Sequence, residues 1–346
     1  MTSSLFPTQT PSYILSFQFS SWYATFANAT IKSTIIRPLS KEFHEYLDTD
    51  GVFVPEGSED VPAESTISDD EAESDDDEEE GKHYAFPVLD QKIRECIQEY
   101  GAVFPKLNFS SPRDAAWVLP ASSPLKCTTP AEVYLLLKSS DFITHDINPD
   151  TVFEGCNIES LPETQRPKYE LELILRKWYP VDRSRELRCF VRENKLIAIS
   201  QRDLNYYDFY NEPATQENII SSLKRFWGEK IKPKWENHED YTFDFLLTRD
   251  LSRGHILDFN PYSPKTDPLL FTYEELRDLL TSDQVLPDFR AIDSRAHPAA
   301  SSNAPLHQHN MIPFEAVSMS SGKDIEDFAE KWKESIAESM LPRDDA

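Results

Sequence analysis

The sequence predicts an α+β fold in which strands from the middle of the chain form sheets and helices pack against them. Five strand-like runs lie between residues 169 and 260, and helix-start signatures stand on both sides of this part of the chain. Hydrophobic residues make up 39% of the 346 residues and aromatic residues 12%, which is enough for a large core. We therefore expect one large two-lobed domain or two small domains.

The helices are predicted mainly from their capping residues. Residues 129–132 (TPAE) combine a threonine cap, a proline in the first turn and a glutamate three residues after the cap, so a helix should run from there to about Lys138. Residues 272–275 (TYEE) repeat the spacing of threonine and glutamate. A further helix is expected at 90–100, before a short strand at 103–107.

The strands are predicted from short runs of apolar and β-branched residues bounded by turn residues. The runs are Tyr169–Lys177, Leu187–Val191, Leu196–Gln201, Tyr241–Leu247 and His255–Asn260.

The two ends of the chain differ from this main domain, which we place at 83–283. Residues 1–55 hold aromatic side chains at positions 17, 19, 22, 23 and 26, which predict a helix packed on the main body; a surface for a partner is the alternative. Residues 284–346 form a C-terminal tail, irregular at 284–315. Its last part, 321–340, has the apolar spacing of an amphipathic helix.

An acidic segment at 56–82 predicts a disordered loop, because it is too polar to bury surface. Ten acidic residues between 69 and 80 contribute to a net charge of −26. Ser68 and Ser74 each precede an acidic run, which suits an acidic-directed kinase, and a solvated spacer is an equal alternative. The net charge argues against nucleic acid as a partner and suits a basic protein face, or a nucleotide bound through Mg²⁺.

The cysteines predict reduced thiols. Cys96, Cys127, Cys156 and Cys189 are scattered and form no CxxC pair. The chain has no recognisable signal peptide and no run of 18 apolar residues. We expect a soluble, cytoplasmic monomer without membrane contact.

The stretch 241–260 carries the most specific chemistry. Its two strand-like runs flank a turn-rich linker and predict an antiparallel hairpin. Because side chains alternate along a strand, one face should carry the apolar residues Phe243, Phe245, Leu257 and Phe259. The other face should then carry Asp244, Asp258 and Asn260.

These three polar residues predict a metal site. A register that places Asp244 opposite Asp258 leaves a five-residue loop, 249–253, and puts the two Cβ atoms about 4.5–5.5 Å apart. Two carboxylates at that separation repel each other unless a cation lies between them. Oxygen ligands from Asp244, Asp258 and Asn260 are typical of Mg²⁺. Two solvated acids on an exposed sheet face are the alternative.

Basic residues upstream are candidates for binding the phosphates of a nucleotide. Lys106 stands at the end of a predicted strand, and the loop after it contains Ser110, Ser111 and Arg113, which can close over phosphates. A surface lysine followed by an ordinary turn is the alternative for this stretch.

The other parts of a nucleotide site follow along the chain. The strand that ends in Arg176, Lys177 and Trp178 offers a flexible connector and an apolar slot for adenine. Glu186 can accept the ribose hydroxyls. Arg188 and Arg202 can meet phosphates, although for each of these residues alone a salt bridge is the commoner explanation.

In this order along the chain, the features resemble the ATP-grasp ligases. Five stretches are similar to the eukaryotic D123-type cell-division-cycle family, and the similarity covers nearly the whole chain. They are 104–117 (FPKLNFSSPRDAAW), 175–178 (LRKW), 188–191 (RCFV), 199–203 (ISQRD) and 257–261 (LDFNP).

The resemblance implies an ATP-grasp fold of two lobes with ATP and Mg²⁺ between them. It places the phosphate lysine at Lys106, the hinge at 177–178, the ribose glutamate at Glu186 and the metal ligands at the Asp244/Asp258/Asn260 set. It also implies an assembly chaperone that binds the gamma subunit of eukaryotic translation initiation factor two, promotes formation of its heterotrimer, and is needed for translation initiation and cell-cycle progression.

A carboxylate–amine or carboxylate–thiol ligase is the alternative from another class. It requires a second pocket with anion-binding arginines, which the sequence does not locate. Three departures from the ligase pattern predict little or no turnover: a serine and proline loop in place of glycines, Asp258 in place of glutamate, and Arg176 where an acid is common. A protein kinase is disfavoured because the chain has no HRD or DFG motif.

Overall fold

The structure is a computed structural model that describes residues 4–59, 83–120, 122–156, 167–235, 238–282 and 284–297. Most of the predicted acidic loop and the predicted terminal helix lie outside these residues. The predicted boundaries between the four regions stay predictions.

The described helices and strands alternate irregularly along the chain. The α-helices are α1 (Pro11–Ser16), α2 (Phe19–Phe26), α3 (Lys41–Asp48), α4 (Pro87–Tyr100), α5 (Pro130–Lys138), α6 (Thr144–Ile147), α7 (Pro149–Val152), α8 (Pro213–Phe226) and α9 (Tyr273–Thr281). The strands are β1 (Ser33–Ile36), β2 (Val103–Lys106), β3 (Leu173–Lys177), β4 (Glu186–Arg192), β5 (Lys195–Gln201), β6 (Tyr241–Leu247), β7 (Gly254–Pro261) and β8 (Asp288–Arg290). The predicted α+β class is confirmed.

A three-stranded antiparallel sheet in the order β1-β3-β2 forms one part of the fold. Helices α3, α4 and α5 pack against it through a buried cluster that includes Phe43, Ile93 and Tyr134. The predicted capping box of α5 is present: Thr129 accepts from the backbone of Glu132, whose side chain accepts in return. This cap fixes where α5 begins.

β3 is shorter than the sequence predicts, since it begins at Leu173 instead of residue 169. The buried side chain of Asn108 donates to the carbonyl of Glu170 at 2.8 Å and accepts from the amide of Glu172 at 2.8 Å. These bonds satisfy the backbone that would otherwise extend the strand.

The second sheet has five strands in the order β7-β6-β4-β5-β8. One face is covered by α2 and α8 in a cluster that includes Phe243, Phe259 and Leu223. At one end of the opposite face, α9 covers Phe190 and Tyr262. The rest of that face carries polar side chains and forms the candidate site.

The stretch after α9 corrects the prediction of an irregular segment at 284–315. Residues 288–290 form β8, which pairs in parallel with β5. A three-residue strand is too short to show a periodicity in the sequence, and its place is set by the edge of β5 that it covers.

The N-terminal segment is more than a helix on the surface. It contains α1 and α2, then β1, the edge strand of the three-stranded sheet, and then α3. Phe19, Trp22 and Phe26 are buried against the five-stranded sheet, and the ring of Trp22 lies 5.3 Å from that of Phe259. The aromatic residues therefore pack in the core, as the first of the two interpretations has it.

Among the described residues, no helix is both long and apolar enough to span a membrane.

Candidate functional site

The two aspartates of the hairpin face each other. In the β6–β7 register Asp244 lies opposite Asp258, and Thr242 lies opposite Asn260. Because side chains alternate along a strand, both pairs lie on the same face of the sheet. The predicted pairing of Asp244 with Asp258 is confirmed.

A β-bulge next to this pair corrects the rest of the predicted register. Phe245 pairs with Ile256, so Leu257 has no partner in the ladder, and the turn spans residues 248–253, one residue longer than expected. Ile256, instead of Leu257, is therefore buried beside Phe259. Alternation in the sequence does not locate the bulge, because either Ile256 or Leu257 satisfies an apolar position.

Asp244 is 2% exposed, and two arginines neutralise its carboxylate. Arg188, opposite it on β4, donates from Nε to Oδ1 at 2.8 Å and from Nη2 to Oδ2 at 2.9 Å. Nη2 of Arg202 lies 3.3 Å from Oδ2. Burial alone would raise the pKa of Asp244, but the charges of Arg188 and Arg202 outweigh it and lower this pKa to about 2. Asp244 is therefore ionised at neutral pH.

Glu186 shares Arg202 with Asp244. Nη1 of Arg202 lies 2.6 Å from Oε2 of Glu186, and Nη2 of Arg113 lies 3.7 Å from the same oxygen. Burial opposes the charge of Arg202, but Asp244 and Glu186 outweigh it and raise the pKa of Arg202. The charge of Arg202 lowers the pKa of Arg113 to about 10. Arg113 is thus a cation beside a like charge with one distant carboxylate, which suits an incoming anion.

Lys106, from the three-stranded sheet, contacts the same group of residues. It is the last residue of β2 and is 1% exposed. Its Nζ lies 2.9 Å from Oδ2 of Asp258 and also donates to the carbonyl of Phe109. The side chain of Asp258 is 20% exposed. The Lys106–Asp258 pair therefore joins the two sheets at a place that solvent reaches.

Arg176 joins the sheets through the backbone. This β3 residue is 3% exposed, and it donates from Nη1 to the carbonyl of Leu257 at 2.7 Å and from Nη2 to Oγ1 of Thr30 at 3.1 Å. Burial lowers the pKa of Arg176 to about 10, although Asp258 opposes the shift. The structure places Arg176 on the bulge, and its predicted contact with a nucleotide stays a prediction.

The connector at 177–178 lies at the other end of β3 from Lys106. Lys177 pairs with Val103, whereas Lys106 pairs with Ile174, so three strand residues, or about 10 Å, separate them. Nε1 of Trp178 donates to the carbonyl of Pro124 at 3.0 Å. An elongated ligand would have to cover this distance to reach both the connector and Lys106.

The loop after β2 is held from behind by Asp146, a buried residue of α6. Its carboxylate accepts from the amides of Phe109 and Ser110 at 2.7 and 2.9 Å, and from the hydroxyl of Ser110 at 2.9 Å. The carbonyl of Ser111 accepts from the amide of Arg113 at 2.7 Å. The loop is therefore fixed by hydrogen bonds and does not depend on glycines.

Two residues of the site were not found from the sequence. Asp146 lies in a four-residue helix, and nothing in its local pattern points to Ser110. Thr242 stands two residues before Asp244 on the same strand, so the alternation that located Asp244 places Thr242 beside it.

The residues present fit a magnesium ion. Among the described residues, no three His, Cys, Asp or Glu side chains form a group suited to a metal. A cation between Asp244 and Asp258 would thus have two carboxylates and the Asn260 carboxamide, whose Nδ2 is buried without a hydrogen-bond partner in the described structure. Mg²⁺ commonly takes one or two carboxylates and completes its shell with water and phosphate oxygens.

The charges around this place are unusual for so acidic a chain. The net charge is −26, yet cations outnumber carboxylates here. The cations are Lys106, Arg113, Arg176, Arg188 and Arg202, and the carboxylates are Glu186, Asp244 and Asp258. A local excess of positive charge favours an anionic ligand.

Comparison with known proteins decides the family. The D123 family model matches residues 22–320 of this chain. The chain belongs to the D123 family. Two relatives of this chain are called translation initiation factor eIF2 assembly protein. The one from Schizosaccharomyces pombe is 37% identical to this chain, over 94% of this chain and 96% of the relative. The one from Xenopus laevis is 43% identical, over 80% of this chain and 83% of the relative. This agrees with the predicted resemblance.

The fold of this chain also matches a solved structure. The structure of Cdc123 from Schizosaccharomyces pombe has a TM-score of 0.63 and 35% identity to this chain, and the match covers 83% of this chain and 98% of the other. The α+β arrangement described above is thus shared with that protein.

Proposed function

We propose that this D123 protein binds ATP with Mg²⁺ between its two sheets, in the manner of ATP-grasp proteins, and promotes assembly of translation initiation factor eIF2 by binding the gamma subunit. The observation that carries the nucleotide part is the Lys106–Asp258 pair, which joins the sheets beside a surplus of cations. An anion that binds together with a divalent cation would balance the surplus cations with its own negative charge and the facing carboxylates with the charge of the metal.

The roles of the residues follow from their positions. Asp244, Asp258 and Asn260 would hold Mg²⁺, which when bound supplies positive charge to the phosphate oxygens. Lys106 is buried, and its Nζ already donates to Asp258 and to the carbonyl of Phe109, so a phosphate would compete with Asp258 for Nζ. The arginines Arg113, Arg188 and Arg202 extend this positive surface, with Ser111 as a hydroxyl donor from the loop. The hydroxyl of Ser110 donates to Asp146, so Ser110 would reach a phosphate only after releasing that bond.

The other end of the nucleotide is assigned to the connector. Residues 176–178 would border the adenine, about 10 Å along β3 from Lys106. Glu186 would accept the ribose hydroxyls through Oε1, while Oε2 keeps its bond to Arg202.

Slow or absent hydrolysis is expected from the loop. Phosphoryl transfer requires accurate positioning of both reacting groups. Here Asp146 ties the loop at Ser110, and Pro112 restricts its backbone, so the loop is built for one conformation. We propose that the nucleotide stabilises the form of the protein that binds its partner.

The partner is proposed from the family. Relatives that share 37% and 43% identity are called translation initiation factor eIF2 assembly protein, and another, with 34% identity in Candida glabrata, is called cell division cycle protein 123. An acidic chain such as this one is suited to a basic protein face, because complementary charges speed association.

The nucleotide part is tested by calorimetric titration of the purified chain with ATP and with AMP, each with Mg²⁺ and with EDTA. We expect ATP to bind only with the cation. Lys106→Met should weaken ATP by about tenfold or more and AMP much less, because a phosphate-binding charge is lost. Lys168→Met, which removes an exposed surface cation, is the matched control. Equal losses for ATP and AMP would remove Lys106 from the phosphates.

The assembly part is tested in cells that carry Asp258→Asn as their only copy. We expect less gamma subunit to co-purify with the variant and less complete alpha–beta–gamma trimer to form. Single-turnover hydrolysis is measured alongside. Brisk turnover with a small carboxylate and an amine, together with a normal trimer, would instead favour a ligase.

A further inference from the structure

Thr242 is a buried threonine beside the candidate metal site, and its hydroxyl has no hydrogen-bond partner among the described residues. The residue is 0% exposed. Nδ2 of Asn260, directly opposite on β7, is buried and unpartnered as well. The Cβ atoms of opposed residues in an antiparallel pair lie about 4.5–5.5 Å apart, so the hydroxyl and the carboxamide are within reach of each other.

Among the residues directly beside Thr242 on this face of the sheet, Asn260 has the polar group that lacks a partner. Across β4 its neighbour is Phe190, which belongs to the apolar cluster under α9. Along β6 the next residue on this face is Asp244, and both of its carboxylate oxygens are already bound by arginine. Buried hydroxyls without a partner are rare in proteins, so this one needs an explanation.

We propose that Thr242 is a positioning residue for the metal ligand Asn260. Its Oγ1 accepts a hydrogen bond from Nδ2 of Asn260 when the cation is bound, and this directs Oδ1 of Asn260 toward the cation. This rests on the proposed function, because it requires Mg²⁺ and nucleotide at the site.

The chemistry of the carboxamide explains why such a partner is needed. A carboxamide has one end that accepts hydrogen bonds and one that donates them, and only its oxygen binds Mg²⁺. An acceptor next to the NH₂ group distinguishes the two ends. Groups that orient metal ligands from behind typically contribute 10- to 100-fold to metal affinity.

The proposal predicts that stability and affinity change in opposite directions. Thr242→Val keeps the shape of the side chain and removes the hydroxyl. Because that hydroxyl has no partner in the free protein, the variant should melt at the same temperature or about 1–3 °C higher. The same variant should bind Mg²⁺–ATP about tenfold more weakly. A threonine with a purely structural role would instead lower the melting temperature when replaced.

The experiment combines thermal unfolding without nucleotide and calorimetric titration with Mg²⁺–ATP on the full chain. Thr242→Ser should restore the affinity to within about twofold, since it restores the hydroxyl. In an Asn260→Ala background, Thr242→Val should cause no further loss. The matched control is Thr34→Val on β1, whose hydroxyl bonds to that of Tyr100 at 2.6 Å: it should lower the melting temperature and leave the affinity unchanged.

Each contrary result has a distinct meaning. If the unmodified protein does not bind Mg²⁺–ATP, the proposed function fails and this inference fails with it. If the unmodified protein binds and Thr242→Val binds equally well, the positioning role alone is wrong. If Thr242→Val lowers the melting temperature, the hydroxyl is already bonded in the free protein, and the role is structural.

Discussion

At the scale of single residues, the two facing aspartates have different environments. Asp244 is buried and held by Arg188 and Arg202, whereas Asp258 is 20% exposed and holds Lys106. Removing the carboxylate of Asp244 leaves the buried Arg188 and the partly exposed Arg202 without it, so its effect on folding cannot be separated from its effect on a ligand. Asp258 is therefore the better probe of the proposed metal site.

The buried pair at Asp244 predicts a pH-dependent contribution to stability. Its pKa is lowered to about 2, so the stabilisation is fully present above the ordinary value near 3.8 and is lost as the pH falls toward 2. Asp244→Asn should lower the free energy of unfolding by about 3 kcal/mol at pH 7. Urea unfolding at pH 7, 4 and 2.5 should show that the difference from the unmodified protein is constant down to pH 4 and then shrinks.

The control for this prediction is Asp278→Asn, which removes an exposed carboxylate paired with the neighbouring Arg277. It should change stability by less than about 1 kcal/mol. A loss at Asp244 as small as at Asp278, or one that stays constant to pH 2.5, would show that Asp244 does not form a strong buried pair in solution.

At the scale of elements, the loop after β2 and the bulge in β7 place the site residues. Asp146 holds the loop from α6, and Arg176 binds the carbonyl that the bulge at Leu257 leaves out of the ladder. The Asp146–Ser110 and Arg176–Leu257 hydrogen bonds each connect parts of the chain that are far apart in sequence. Each depends on one buried charged side chain.

Asp146→Asn should loosen the loop without removing any residue from the ligand site. Oδ2 of Asp146 accepts from both amides, and the single oxygen of an asparagine can take its place, but the bonds then lose the negative charge of the carboxylate. The NH₂ group of the asparagine would replace Oδ1, which now accepts from the hydroxyl of Ser110. We expect a loss of about 1–3 kcal/mol in stability and weaker ATP binding. Hydrogen exchange should become faster at the amides of Phe109 and Ser110.

The comparison variant is Asp90→Asn, which changes another buried aspartate, one that accepts from the hydroxyl of Tyr134 at 2.5 Å. It should lower stability and leave exchange in the loop unchanged. Unchanged loop exchange in Asp146→Asn as well would mean that the loop is fixed by other contacts.

The sequence predicts elements whose signals are local and misses those set by distant contacts. Capping residues located α5 and α9, and alternation located the pairing of Asp244 with Asp258. The bulge, the shortened β3 and the strand β8 depend on Arg176, Asn108 and the edge of β5, which no local pattern reveals. The sequence predicts Asp244, Asp258 and Asn260 as one set, whereas the connections of the site through Arg202 and Asp146 came from the structure.

At the scale of the whole molecule, charge is distributed unevenly. The candidate site has more cations than carboxylates, although the chain carries a net charge of −26. Ten acidic residues lie between 69 and 80, outside the described residues. Charges concentrated in one segment act mainly on the rate of encounter with a partner, because they attract it over distances near the Debye length.

Replacing residues 69–80 by a Gly/Ser segment of equal length should therefore slow association with the proposed partner, eIF2, and leave the fold intact. The change removes ten negative charges and keeps the length of the connection. We expect the melting temperature to stay within a few degrees, because so polar a segment contributes little burial. The association rate with purified eIF2 gamma should fall at low salt and depend less on salt than that of the unmodified protein.

A scrambled segment with the same composition is the control and should keep the original salt dependence, since charge and not sequence sets it. A drop in melting temperature of about ten degrees would instead show that the segment belongs to the folded structure. An unchanged salt dependence would show that the partner is attracted by another part of the surface.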